Sequence, residues 1–263
     1  MIEVRAKKRL GQHFLKDMLI ARRIVESIGA DNRTHVLEIG AGTGALTQFL
    51  LNNSNILLKA IEIDAESIGY LHRQFPQLDV IEGDFLRYPI DTLFAGEAFS
   101  VIGNFPYNIS SQIFFKILQH RNRIPSVVCM LQKEVAERIA APAGSKVYGI
   151  TSVLLQTFYR IDYLFTVEAH AFEPPPKVRS AVVRLTRNQI QSLDCDQEQF
   201  VRVVKTAFNQ RRKMLRNSLK PITADTPLPE PVFDRRPEQL SVAQFVELTK
   251  LIEKKLSILT PSV

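Results

Sequence analysis

Residues 36–44 read Val36-Leu37-Glu38-Ile39-Gly40-Ala41-Gly42-Thr43-Gly44, an apolar run that leads directly into three glycines at alternate positions. Glycine is needed where the backbone passes close beneath a ligand without a Cβ in the way. The spacing of residues 45–51 predicts a helix after the glycines. The stretch therefore predicts a strand, a ligand-binding turn and a helix, the typical opening unit of an α/β fold.

The alternation of strands and helices continues outward from this unit. The predicted helices are 15–29, 45–51, 66–74, 110–120 and 133–140, and the predicted strands are 35–39, 56–63, 78–82, 99–103, 127–132 and 178–185. Such alternation indicates an α/β fold with a mostly parallel sheet, and we expect the last strand, which follows a run of prolines, to be antiparallel. After residue 187 the pattern becomes helical at 196–219 and 240–256. We therefore expect a first domain over residues 1–187 and a smaller, all-helical domain over residues 188–263.

The composition excludes several classes of protein. The chain has 263 residues, of which 45% are hydrophobic and 23% charged, which is ordinary for a core-forming protein. The net charge of +7 favours an anionic partner, nucleic acid before membrane. Solubility alone is an equal explanation of this charge. Cys129 and Cys195 are too few for a disulfide framework or a four-thiolate zinc site, so no metal site is expected. We see neither a signal peptide nor a membrane span and expect a cytoplasmic protein.

Acidic residues at the ends of the next two strands indicate the ligand. Glu62 lies 22 positions after Gly40, where a carboxylate can accept hydrogen bonds from both hydroxyls of a ribose. Asp84 closes the third strand and could accept from an adenine amino group, with Phe85 beside the ring. The loop also satisfies the dinucleotide pattern G-x-G-x-x-A. The third glycine, Glu38 and the third acid favour S-adenosylmethionine (SAM) over a nicotinamide cofactor.

The fourth strand ends in Asn104-Phe105-Pro106-Tyr107, which resembles the N/D/S-P-P-Y/F/W motif of amino-methylating SAM enzymes. The exocyclic amine of adenine is a poor nucleophile because its lone pair is conjugated into the ring. An Asn side-chain oxygen and the carbonyls after it, near Pro106, can accept its N–H bonds and direct the lone pair at a methyl group. An aromatic at position 107 can stack on a base withdrawn from its helix.

The whole chain resembles the KsgA family, which dimethylates N6 of two adjacent adenosines near the 3′ end of small-subunit ribosomal RNA. The resemblance rests on seven short segments in order: 8–15, 40–44, 104–110, 130–135, 172–178, 208–213 and 241–244. It implies a Rossmann-like SAM-dependent methyltransferase domain followed by a helical domain. By this resemblance the SAM contacts are His13, Leu15, Gly40, Glu62, Asp84 and Asn104, and the residue pattern at the loop and the third strand adds Gly42 and Phe85.

The chain departs from the family pattern at two positions, and a third residue has two interpretations. His13 stands where the family usually has Asn, and Phe105 stands where Leu or Pro is usual. Phe172 resembles the aromatic that packs on the other face of the target base, but ordinary core packing is an equal alternative.

Basic residues indicate an RNA-binding surface. On a helical wheel, residues 200–220 have an apolar arc and an opposite basic arc, which is what phosphate binding requires. Arg211 breaks this pattern, so either the helix breaks near residues 209–210 or Arg211 has a specific partner, and we favour the break. Residues 5–9 form a second basic cluster, expected to be an arm that orders on RNA or cofactor. The predicted RNA contacts are Lys7, Lys8, Arg9, Arg211, Arg212, Lys213 and Arg216.

These features leave four functions open. The first is dimethylation of small-subunit ribosomal RNA by a monomer that acts on the pre-30S particle. The second is a related large-subunit adenine methyltransferase that confers antibiotic resistance. The third is a ribosome or transcription factor on a methyltransferase fold, and the fourth is an NAD-dependent oxidoreductase. Intact SAM and catalytic motifs argue against the third, and segments 172–178 and 208–213 favour the first over the second.

Overall fold

The computed structural model describes residues 4–29, 32–223 and 229–259. The chain forms two compact units, one from residues 1–136 and 160–187 and the other from residues 137–159 and 188–263. The C-terminal edge of the first unit therefore lies where the sequence places its domain boundary. Residues 137–159, which the sequence prediction gives to the first domain, cluster with the C-terminal residues instead. The division into a catalytic and an RNA-binding domain stays a prediction.

A seven-stranded sheet organises the first unit, in the order β4-β3-β2-β5-β6-β9-β7. Its strands are β2 (Thr34–Ile39), β3 (Ile56–Glu62), β4 (Asp79–Glu82), β5 (Ser100–Asn104), β6 (Ser126–Gln132), β7 (Tyr159–Val167) and β9 (Ser180–Arg187). Strands β2 to β6 are parallel, and β9 runs antiparallel to β6. The predicted α/β class and the antiparallel late strand are therefore confirmed. The sequence analysis missed β7 and a two-stranded pair of β1 (Phe14–Leu15) and β8 (Phe172–Glu173).

As far as residue 140, the helices alternate with the strands as predicted. They are α1 (Met18–Glu26), α2 (Thr47–Leu51), α3 (Ala65–Gln74), α4 (Ser110–Gln119), α5 (Lys133–Ala140), α6 (Ile150–Phe158), α7 (Gln197–Asn209), α8 (Leu215–Ser218), α9 (Lys220–Thr223) and α10 (Val242–Leu259). Helix α1 begins after Asp17, whose carboxylate accepts from the backbone N–H groups of Leu19 and Ile20 at 3.0 and 3.1 Å. Its buried Ile24 lies in the same hydrophobic core as Met130 of β6.

The second unit is built on α6, α7 and α10. Phe208 on α7 lies between Tyr148, at 6.2 Å between ring centroids, and Phe245 on α10, at 5.8 Å. Helix α7 ends at Asn209, so the helix break that Arg211 suggests is confirmed. Among the helices of the described segments, none is long and apolar enough to cross a bilayer.

Candidate functional site

A cavity of about 260 Å³ lies at the carboxyl ends of the parallel strands. The ends of β2, β3 and β5 line it, together with the loop that follows β4 and residues 9–15 of the N-terminal arm. Strand order reverses between β2 and β5, and open α/β sheets bind their ligands at such a switch point. All of its lining residues belong to the first unit.

The glycine loop adopts a backbone that favours glycine. Gly40 and Gly42 have φ angles of +71° and +56°. A Cβ on Gly42 would lie 3.0 Å from the Phe14 ring, whereas a Cβ on Gly40 would meet no atom within 4 Å. Crowding by Phe14 therefore restricts position 42 to glycine, whereas the backbone at position 40 faces open space. Both glycines line the cavity, as the sequence predicts.

Glu62 holds this loop in place. One carboxylate oxygen accepts from the Gly42 N–H at 2.9 Å, and the other accepts from the N–H groups of Ile63 and Asp64, both at 2.9 Å. Burial raises the pKa of Glu62, and these backbone hydrogen bonds oppose that rise. Glu62 lies in the cavity wall where the sequence places it. Sequence reasoning missed its second role, which is to fix the glycine loop.

Glu38 lies beside this pair on β2. Its side chain is 1% exposed and accepts from the Thr47 hydroxyl at 2.7 Å. Burial, with a smaller contribution from the nearby Glu62 charge, raises the pKa of Glu38 to about 7, and the hydrogen bonds from Thr47 oppose that rise.

Asp84 and Phe85 form the wall contributed by the loop after β4. An Asp84 oxygen accepts from the Leu86 N–H at 2.9 Å, so the carboxylate is fixed locally. The Lys116 ammonium, on α4, donates to the carbonyl oxygens of Phe85, Leu86 and Tyr88 at 2.7, 3.1 and 2.5 Å. Sequence reasoning missed Lys116, because no local motif shows that three carbonyls converge on it.

The Asn104 side chain is oriented by the N-terminal arm. Its amide nitrogen donates to the His13 carbonyl oxygen at 2.9 Å, which leaves the amide oxygen as an acceptor. His13 in turn donates from Nδ1 to the Pro174 carbonyl at 2.8 Å, because a carbonyl can only accept. Its ring stacks on Tyr107 at 5.6 Å between centroids. His13 thus connects the arm, the segment from Asn104 to Tyr107 and the loop after β8.

Tyr107 and Pro106 line the same cavity. The Tyr107 hydroxyl bonds to Ser180 on β9 at 2.5 Å, and burial raises the pKa of the phenol. The Pro106 carbonyl accepts from the Ile109 N–H at 3.1 Å and keeps a second lone pair. The Tyr107 hydroxyl therefore fixes the ring, a function that the motif alone does not reveal.

Phe172 does not reach the cavity wall, which corrects the interpretation of it as a base-stacking residue. It is 1% exposed and packs in the core with Ala21, Ile24 and Val182. Its partner across the β1–β8 pair is Leu15, which is also in that core but does line the cavity. Pairing with β1 turns the Phe172 side chain inward, so the core-packing alternative holds in this structure.

The N-terminal arm is anchored by ion pairs, and this changes the role of Lys7. Lys7 pairs with the buried Asp64 and, at 3.1 Å, with Glu66. Gln12 also donates to Asp64 at 3.4 Å. Burial would raise the pKa of Asp64, but these partners lower it below its usual value. Asp64 therefore anchors the arm, and Lys7 is not a free phosphate contact in this structure. Lys8 and Arg9 are exposed.

Two predicted RNA contacts of the second unit also have protein partners. Arg211 donates to the carbonyl oxygens of Ser145 and Lys146, and Arg216 pairs with Asp234. Arg212 and Lys213 are exposed at the turn that follows α7. The remaining predicted contacts therefore fall at two exposed basic pairs, one on each unit.

Comparison with known proteins identifies the family. The sequence model described as ribosomal RNA adenine dimethylase matches residues 3–254. The chain belongs to this family. A relative from Parabacteroides distasonis, named ribosomal RNA small subunit methyltransferase A, is 56% identical over 257 residues, which is 96% of each chain. A relative of the same name from Bacteroides thetaiotaomicron is 53% identical over 98% of each chain.

Solved structures of two similar methyltransferases share the fold. A dimethyladenosine transferase from Plasmodium falciparum has a TM-score of 0.76 and 27% identity, with 92% of this chain and 98% of that chain covered. The 23S rRNA methyltransferase ErmE has a TM-score of 0.66 and 26% identity, with 90% and 99% covered. The expected Rossmann-like methyltransferase fold is confirmed.

Proposed function

We propose that this protein uses SAM to dimethylate N6 of two adjacent adenosines near the 3′ end of small-subunit ribosomal RNA. The observation that carries the proposal is Asn104, whose amide nitrogen is held by the His13 carbonyl at 2.9 Å at the wall of the cavity. That bond orients the side chain so that its oxygen is free to accept from an amine. Family membership and the relatives' names support the ribosomal substrate.

The charge of the cavity favours SAM over a nicotinamide dinucleotide. Among the described lining residues, the acidic ones are Glu38, Glu62 and Asp84, and the only basic side chain of the Lys or Arg type is Arg9. Ionised carboxylates in this wall repel a pyrophosphate but attract a sulfonium and an ammonium. Gly40, with space where its Cβ would be, provides the close backbone approach that such a cofactor needs.

The bound cofactor supplies an electrophilic methyl group, and the residues around it prepare the amine. The Asn104 oxygen accepts one N–H of the target adenine, and a carbonyl near Pro106 accepts the other. Both bonds strengthen as the nitrogen becomes tetrahedral, so they stabilise the transition state more than the ground state. The methylated amine is acidic enough to lose its proton to solvent, so no general base is required.

Tyr107 is proposed to stack on the target base. Its ring is held at two points, by the hydroxyl bond to Ser180 and by stacking on His13. A ring fixed before binding loses little entropy when a base stacks on it. A base that leaves its helix must find such a surface, because unstacking costs a few kcal/mol.

The exposed basic pairs are proposed to bind the phosphates of the RNA. Lys8 and Arg9 lie on the arm beside the cavity, and Arg212 and Lys213 lie at the turn after α7. We propose that the substrate is the RNA within a precursor of the small subunit and that the protein acts there as a monomer.

The large-subunit alternative rests on the ErmE fold, which this chain shares at 26% identity. The relatives at 53–56% identity, all named for the small subunit, favour the first candidate. Transfer of labelled methyl from SAM to defined small- and large-subunit RNAs, with the modified bases mapped, tests the choice. The proposal expects dimethylated adenines near the 3′ end of the small-subunit RNA, and label only in the large-subunit RNA would contradict it.

A further inference from the structure

Two carboxyl groups share the buried wall of the cavity and differ in their hydrogen bonds. Glu62 accepts three backbone N–H bonds, each of 2.9 Å, from Gly42, Ile63 and Asp64. Glu38 accepts from a single neighbour, Thr47, through its hydroxyl at 2.7 Å and its backbone N–H. Both carboxyl groups are almost wholly buried, with 1% exposure for Glu38 and 4% for Glu62.

Two adjacent buried carboxylates cannot both ionise without a large electrostatic cost. Backbone N–H groups stabilise a carboxylate strongly, so the negative charge of the pair resides on Glu62. The proton of the pair therefore resides on Glu38. The pKa of about 7 at Glu38, raised by burial and then by the Glu62 charge, agrees with this assignment.

We propose that Glu38 is a proton-linked specificity residue for the cationic cofactor: it carries a proton in the free site and releases it when SAM binds. This inference rests on the proposed function, because it takes SAM as the ligand. A buried cation favours the ionised form of a carboxyl beside it, so binding and ionisation of Glu38 assist each other. The site then selects for positive charge without holding two buried negative charges in its free state.

The sign of the effect follows from linkage. Because binding releases a proton, SAM affinity rises as the pH rises towards the pKa of Glu38 and levels off above it. Other titratable groups line the same cavity: His13 and Arg9 on the arm, Glu62 on β3 and Asp84 after β4. The test must therefore isolate Glu38 as a difference between two proteins, so that these groups and the amine of the cofactor cancel.

Calorimetry of SAM binding to the full-length protein, in buffers of different ionisation heat, counts the released protons. Wild type minus Glu38→Gln should give about 0.9 proton at pH 6, about 0.5 at pH 7 and about 0.1 at pH 8. Glu82→Gln is the matched control, because Glu82 lies beside Glu62 in the register of β3 and β4 but is exposed and outside the cavity wall. It should release the same number of protons as wild type.

A second variant keeps the test decisive if Glu38→Gln fails to fold. Thr47→Val keeps the shape but removes a hydrogen bond that favours the ionised Glu38 carboxylate. Its proton-release curve should move to higher pH. Equal release by wild type and Glu38→Gln, or by wild type and Thr47→Val at every pH, would overturn the inference while leaving SAM binding intact. Absence of SAM binding to the wild type would instead overturn the proposed function.

Discussion

Replacement of Lys116 by Met tests whether α4 sets the shape of the cofactor cavity. The ammonium donates to three carbonyl oxygens of the loop at 2.5–3.1 Å, all within four residues of Asp84. Hydrogen bonds from a charged group contribute about 1.5–3 kcal/mol each, but Lys116 is only partly buried and the freed carbonyls partly regain water. We therefore expect the free energy of unfolding to fall by about 2–4 kcal/mol in total.

The same variant should weaken SAM binding through Asp84. Loss of about 1 kcal/mol from a loosened contact corresponds to roughly fivefold in affinity. Urea unfolding and calorimetry measure the two effects, with Lys59→Met as a control because the Lys59–Asp79 pair lies outside the cavity wall. Asp84→Ala should cost less affinity in the Lys116→Met background than in wild type. Equal costs in the two backgrounds would refute the argument that Lys116 positions Asp84.

Three further experiments test other residues of the site and of the RNA-binding surface. Glu62→Ala should lower SAM affinity roughly ten- to a hundred-fold in calorimetry, because it removes a charge-assisted contact of about 1.5–3 kcal/mol; unchanged affinity would contradict the assignment. Tyr107→Phe should lower the free energy of unfolding by about 1 kcal/mol, because it leaves the Ser180 hydroxyl without its partner. The same variant should methylate RNA better than Tyr107→Ala, because the Ala variant also loses the stacking surface. Equal methylation activity of the two variants would exclude stacking. Joint replacement of Arg212 and Lys213 by Gln should flatten the log–log salt dependence of RNA binding by about two units without changing SAM affinity; an unchanged slope would place the RNA site elsewhere.

The sequence predicted the parts of the fold that depend on local patterns. The glycine loop from Gly40, the acids Glu62 and Asp84 and the motif at Asn104 all line one cavity, because parallel strands bring their carboxyl ends to the same edge. Helix α6 was not predicted from the sequence. Its consecutive residues Ser152, Val153 and Leu154 are all buried, so the helix lacks the exposed polar face that gives a helical pattern. The β1–β8 pair was missed because two-residue strands carry no periodicity.

Residue roles that depend on distant partners could not be predicted. Lys7 and Arg216 belong to basic runs, yet acidic residues far along the chain pair with each of them. The core position of Phe172 follows from its pairing with Leu15, which is more than 150 residues away. His13 occupies the position of an expected cofactor contact, but only the fold shows that its carbonyl orients Asn104.

Single-turnover methylation by Asn104 variants tests the central claim most directly. The Asn104 oxygen is proposed to accept from the target amine mainly in the transition state, and one such contact is typically worth 10²–10³ in rate. Asn104→Ala should therefore keep RNA binding, lose some SAM affinity and lose most methyl transfer, while Asn104→Asp, which still accepts, should retain more activity than Ala. An Asn104→Ala protein with nearly wild-type turnover, or an Asp variant no better than Ala, would contradict the account.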